Sequence, residues 1–183
     1  NSLSQWESVR WTDGTGVALV KTSDPDCITD PDDYILCAHY SRRGVGATPS
    51  QVVVSARDPS SRAWSNVTID SQVAVPAQGS FFPTLLVLPS GRVLCYYGWE
   101  DTTLDEWQVR MMYSDDNGAS WSRGEFLCLP APISIAAAST GFDITRLRAE
   151  YNGGQVLLLV SVYSHDSGWA NRYQQWQFAS VDL

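Results

Sequence analysis

Ser114-Asp115-Asp116-Asn117-Gly118-Ala119-Ser120-Trp121 closes a strand-like run, Gln108 to Ser114, and fits the spacing S-x-D-x-G-x-x-W. A serine hydroxyl and a carboxylate two residues on can hold the backbone N–H groups of a tight turn. The glycine takes a positive φ at no steric cost, and the tryptophan can fold back to pack between strands. Such a stretch specifies a structural turn between two strands, not a catalytic device.

Working outward, the same pattern recurs. Three apolar runs, Tyr34 to Tyr40, Arg92 to Trp99 and Gln155 to Tyr163, are each followed by a polar, aromatic-bearing loop. A second run then follows each loop: Gln51 to Ser55, Gln108 to Ser114 and Gln174 to Ser180. The serines that end these runs recur about every 60 residues, the length of one four-stranded unit. Hairpin signals, Ser90-Gly91 and Asn152-Gly153-Gly154, precede two of the first runs. The first unit has instead the acidic stretch Ser23 to Asp33, read as a long loop. No helical period is present, and Ile133 to Ser139 reads as a short turn only. The chain is therefore expected to be all-β, each unit running strand, turn, strand, loop, strand, turn, strand.

Ser114, Asp116, Gly118 and Trp121 resemble the Asp-box (BNR repeat) of the sialidase-like propellers. Ser55, Asp58 and Trp64 form a looser copy with lengthened spacing and no glycine, and a third copy stops at Ser180-Val181-Asp182-Leu183. Trp6-Glu7-Ser8-Val9 parallels Trp64-Ser65-Asn66-Val67, so residues 1–10 are expected to supply the outer strand of the last blade. The resemblance implies four-stranded antiparallel blades, approximately 11–75, 76–131 and 132–183 completed by 1–10, in a single propeller segment, 1–183. Three blades are too few to close, since propellers typically have four to eight. They make half of a six-bladed ring. Either a second copy joined head to tail or the rest of a longer chain would complete it, satisfying the open edge strands.

The formal net charge is −8 and no basic stripe accompanies the 8 Trp and 8 Tyr, which argues against nucleic acid or an anionic membrane as partner. No apolar run approaches the ~20 residues of a membrane span. Cys27, Cys37, Cys95 and Cys128 lack metal-ligand spacing, and His39 and His165 are isolated, so neither metal nor cofactor is expected. Cys37 and Cys95 read as buried thiols, with a Cys27–Cys37 bridge as the alternative in an oxidising compartment. That alternative and a lone glycosylation sequon at Asn66 lean toward an extracytoplasmic, secreted protein.

The resemblance places the ligand face on the loops between second and third strands and on the entries to first strands. Those stretches carry Tyr40, Arg42, Arg43, Trp99, Asp101, Asp143, Arg146, Asp166, Trp169 and Arg172. Exposed Trp99 and Trp169 would stack on sugar rings, Asp101, Asp143 and Asp166 would take hydroxyls, and Arg42, Arg43 or Arg146 a carboxylate. Solvated loop charges and core-capping tryptophans are the competing reading. Sialidases use three arginines, a Tyr nucleophile with a Glu, and an Asp acid. The chain has no Phe/Tyr-Arg-Ile-Pro motif for the first arginine and no evident Tyr/Glu pair. The expected function is thus a non-catalytic propeller module that is structural or binds a glycan or protein. The alternative is a sialidase-like glycoside hydrolase or a fragment of one.

Overall fold

A computed structural model describes residues 21–42, 51–69, 78–101, 106–123, 135–136, 142–164 and 173–179. Among these residues the chain is all-β, in three antiparallel sheets with no helix. The first sheet has the order β1 (Lys21–Thr29), β2 (Ile35–Arg42), β3 (Gln51–Arg57), β4 (Trp64–Thr68). The second runs β5 (Gln78–Val87), β6 (Val93–Asp101), β7 (Glu106–Ser114), β8 (Ser122–Arg123), and β9 (Ile135–Ala136) also pairs with β7. The third runs β10 (Phe142–Asn152), β11 (Gln155–Ser164), β12 (Tyr173–Ala179).

Three expectations need correcting. The acidic stretch after Ser23 is not a loop throughout, because Lys21–Thr29 pairs with β2 in register Cys27↔Cys37. Those cysteines form a disulfide with Cα atoms 4.2 Å apart, so Cys37 is not a free thiol. Asp24, Pro25 and Asp26 hide the strand, because such residues are depleted from regular ladders. Part of the stretch read as a short turn at Ile133 to Ser139 is strand as well, with Trp107↔Ile135 and Glu106↔Ala136 paired.

The second sheet lies between the other two, and burial on both faces explains its apolar centre. From β6, Val93, Cys95, Tyr97 and Trp99 pack toward Leu36, Ala38, Val52 and Val54 of the first sheet. The alternate residues Leu94 and Tyr96 join Ile144, Leu147, Leu158, Val160 and Val162 of the third. Tight turns set the register: Gly91 and Gly154 have φ of 87° and 91°, a region that costs glycine nothing. Residues 1–10, expected as an outer strand, lie outside the described residues.

Candidate functional site

The first strand of each sheet loses register once, with pairing resuming three residues before the last hairpin pair in β1 and β5 and six before it in β10. Pairing jumps from Ser23↔Tyr40 to Asp26↔Ala38 in β1, and from Phe81↔Gly98 to Thr84↔Tyr96 in β5. In β10 it jumps from Ile144↔Val162 to Arg146↔Ser161. Each jump puts one extra residue on the first strand, the signature of a β-bulge, which bends a strand and re-aims side chains. Proline cannot donate to a ladder but is tolerated at a bulge, and Pro25 and Pro83 sit in two of the three.

Asp26, Thr84 and Arg146 are the residues at which pairing resumes. Thr84 donates its hydroxyl to Asp26 Oδ2 at 2.9 Å, and the Leu85 N–H donates to the same oxygen at 2.8 Å. Thr84 Oγ1 in turn accepts the Ala149 N–H at 3.3 Å. Strand edges that would otherwise present bare N–H groups are thus capped from the neighbouring sheet. Ser80 does the same between β5 and β3, accepting the Val52 N–H at 3.0 Å. Arg146, at the third position, has donors only and is exposed.

A cleft of about 210 Å³ opens at this level, lined by Pro25, Asp26, Phe82, Pro83, Thr84 and the segment from Arg146 to Arg148. A broader groove of about 550 Å³ follows the same strands past Ile28, Leu86, Arg148 and Glu150. Exposed Arg148 Nε is 3.7 Å from Glu150 Oε1. Donors of fixed fork geometry therefore stand beside proline and phenyl surfaces, a mixed lining suited to a ligand with both hydroxyls and C–H faces.

The structure brings two of the expected site residues to this region. Arg146 lines the cleft, and half-buried Tyr40 packs edge-on against Phe81 and Phe82, each ring centroid 5.4 Å away. Trp99 is different. It was expected as an exposed stacking ring, but it is only 6% exposed and lies in the core between the first and second sheets. The Arg110 guanidinium sits 3.5 Å from its ring centroid. The reason is that β6 is covered on both faces. Arg42, Asp101 and Asp143 fall in strand ends whose side chains are not described, and Arg43, Asp166, Trp169 and Arg172 lie outside the described residues. The residues missed by sequence reasoning are Asp26, Phe82, Thr84 and Arg148. The prolines within the two strand runs were the available signal.

The Ser114–Trp121 turn closes the end of the second sheet at which Val87, Val93 and Ser114 pair, and none of its residues lines the cleft. Ser114 Oγ accepts the Gly118 N–H at 2.9 Å and donates to Asp116 Oδ1 at 2.8 Å, and the Ser120 N–H donates to that oxygen at 2.8 Å. Trp121 Nε1 donates to the Gly118 carbonyl at 3.1 Å. Partial burial pushes the Asp116 pKa up, but hydrogen bonds from Ser120 and Ser114 together hold it below the usual carboxylate value. The looser copy works otherwise. Asp58 alone takes the turn N–H groups of Ser60 and Ser61, at 2.8 and 2.7 Å, and receives the Tyr34 hydroxyl at 3.0 Å. Ser55 donates instead across the sheet to Asn66 Oδ1, the side chain of the sequon.

Among the described residues no cluster of His, Cys, Asp and Glu could hold a metal ion. Burial pushes the Cys95 thiol far up and His39 down to about 4, so neither is charged near neutral pH. The disulfide fits an oxidising compartment. No helix among the described residues is long and apolar enough to cross a membrane.

Comparison with known structures places this arrangement. A Penicillium chrysogenum α-L-arabinanase complexed with arabinobiose superposes with TM-score 0.65 at 15% identity, over 88% of this chain and 46% of that one. The fold is like that of β-propeller structures. A GH93 α-L-arabinofuranosidase of Fusarium graminearum matches with TM-score 0.65 at 14% identity, over 88% and 45%. A Hadza microbial sialidase matches with TM-score 0.54 at 15% identity, over 78% and 30%. The chain spans less than half of each of these proteins. No protein-family profile matches the sequence, and no curated protein matches it.

Proposed function

We propose that this chain forms part of a sialidase-like propeller and that the cleft along β1, β5 and β10 binds a saccharide. The observation that carries the reading is one cleft lined from the bulged first strands of all three sheets, by Asp26, by Phe82 and Thr84, and by Arg146. In this reading the three sheets are blades, β1, β5 and β10 are their inner strands, and the turn at Ser114 to Trp121 is an Asp-box of structural role. Half of a six-bladed ring would be supplied by the chain. The face of the third sheet turned away from the second, where Leu159 is 41% exposed, would meet the next blade. That blade would come from a second copy or from the rest of a longer chain, and light scattering separates a dimer from a monomer.

Binding is preferred to hydrolysis for the described residues. Glycoside hydrolysis ordinarily needs two carboxyl groups across the scissile bond. The carboxylate in the 210 Å³ cleft, Asp26, is committed to Thr84 and the Leu85 N–H. The second reading, a fragment of a hydrolase, is favoured by the glycosidase names of the structural neighbours. Calorimetric titration with arabinotriose and with 3′-sialyllactose tests the first, with Arg146→Ala as the site control. Saturable binding that Arg146→Ala weakens supports it, and no binding of a broad saccharide panel removes it. Release of nitrophenol from arabinofuranoside or sialoside substrates would move the reading to hydrolysis.

A further inference from the structure

Phe82 has a backbone φ of 52°, in the left-handed region that a bulky residue enters only under constraint. Bulges that use this conformation ordinarily place glycine there, which has no Cβ to clash. Here a phenylalanine stands in its place. Its ring is not fully absorbed by packing, since Phe82 is half-buried while Thr84, Leu85 and Leu86 just after it are buried. Its inner side packs on the core between the second and third sheets, and two rings flank it, Tyr40 at 5.4 Å with an interplanar angle of 68° and Phe81 at 6.0 Å. Phe82 also lines the cleft together with Pro25, Pro83 and Arg146.

Strain at a bulky residue persists only where the surroundings impose it, and it clusters where a side chain must be presented. We infer that Phe82 is the stacking ring of the cleft, taking the apolar face of one sugar ring while Arg146 donates to its hydroxyls. Tyr40 acts on the ligand only through Phe82, as a positioning residue that fixes the ring edge-on. The inference rests on the saccharide-binding reading and narrows it. A ligand recognised in this way presents a contiguous C–H face, as pyranose and furanose rings do and open-chain polyols do not.

The test uses Phe82→Gly and Phe82→Asn, both of which accept a left-handed backbone. Each is expected to melt at or above the parent temperature. Each should also lose about tenfold or more in affinity for arabinotriose or 3′-sialyllactose, whichever the parent binds. Saturation transferred from protein aromatic protons to the sugar ring protons should disappear in both. Tyr40→Ala should weaken binding, and Tyr40→Phe should restore it. Parental affinity in Phe82→Gly, alongside a loss in Arg146→Ala, would overturn the role of Phe82 and leave the site standing. Lower melting temperatures in both Phe82 variants would show that packing, not presentation, holds the ring, and would overturn it too. A parent protein that binds no saccharide overturns both the ring and the site.

Discussion

Thr84 and Asp26 meet across two sheets, the threonine hydroxyl donating to the carboxylate at 2.9 Å while accepting the Ala149 N–H of a third. One hydroxyl thereby joins all three sheets at the level of the cleft. Thr84 is 2% exposed, so water does not readily replace it. Thr84→Val keeps the shape but removes both hydrogen bonds, leaving the buried Ala149 N–H without its acceptor and Asp26 Oδ2 with the Leu85 N–H alone. A loss of about 1–3 kcal/mol in unfolding free energy is expected, with most of it recovered in Thr84→Ser. Equal stability of the Val and Thr proteins in urea titration would show that the link carries no weight.

The turn at Ser114 should behave as structure and not as site. Asp116→Ala removes the acceptor of the Ser120 N–H and the partner of Ser114, at a cost of about 1–3 kcal/mol. Gly118→Ala meets a harder obstacle. The residue has φ of 83°, and a Cβ there would lie 2.5 Å from Leu36 Cδ2 on the first sheet. Overpacking and strain together should cost at least as much. Because no residue of the turn lines the cleft or the groove, neither variant should change saccharide affinity when it is folded. Loss of binding by Asp116→Ala at parental stability would reassign the turn to the site.

The all-β class and the antiparallel sheets were legible because β6 and β11 are near-continuous apolar runs and because Gly91 and Gly154 mark the hairpins before them. Strand β1 was hidden, since Asp24, Pro25 and Asp26 break any alternation. What holds it is non-local: a disulfide to Cys37 and a carboxylate that caps another sheet. The site was harder for the same reason. Tyr40 and Arg146 stand out in the sequence as polar or aromatic groups near strand ends, whereas the cleft lies at bulges within the strands. A bulge depends on partner registers that no single strand contains, so the adjacent Pro25 and Pro83 were the sole local mark of Asp26, Phe82 and Thr84. Trp99 was misjudged because sequence cannot tell a strand covered on both faces from one that ends in solvent.

His39 should make stability fall in mild acid. It is 1% exposed, opposite Val53 on β3 and beside the bulge of β1 between Ser23 and Asp26, and burial pushes its pKa down to about 4. In the unfolded chain the ordinary value of 6.5 applies, so between pH 6.5 and 4 the unfolded state binds the proton first. The stabilisation is fully present above the unfolded value and is lost as pH falls toward 4, by roughly 3 kcal/mol. Below that, protonation of Asp58, Asp115 and Asp116, all held below the usual carboxylate value, adds a second decline. Denaturant midpoints measured across this range should slope upward with pH, and His39→Gln should flatten the upper part. A parental slope in His39→Gln would assign the dependence to other groups.

The Cys27–Cys37 bridge should matter beyond the strands it joins. It ties β1 to β2 directly after Asp26, whose carboxylate holds the Leu85 N–H and Thr84. Closing so short a loop constrains the unfolded chain only modestly, so reduction or Cys27→Ser/Cys37→Ser should cost roughly 2–3 kcal/mol. The more telling effect is local. A loosened β1 moves Asp26, and the Leu85 N–H, which faces away from its ladder partner, then has no acceptor. Hydrogen exchange at Leu85 should quicken markedly on reduction, and at Ala149 through Thr84 to a smaller degree, while Val160 in the centre of the third sheet stays protected. Buried Cys95 should not react with thiol reagents under these conditions, because burial keeps it neutral and covered. Unchanged exchange at Leu85 in the reduced protein would mean that the ladder alone fixes Asp26, and that the bridge has no part in shaping the cleft.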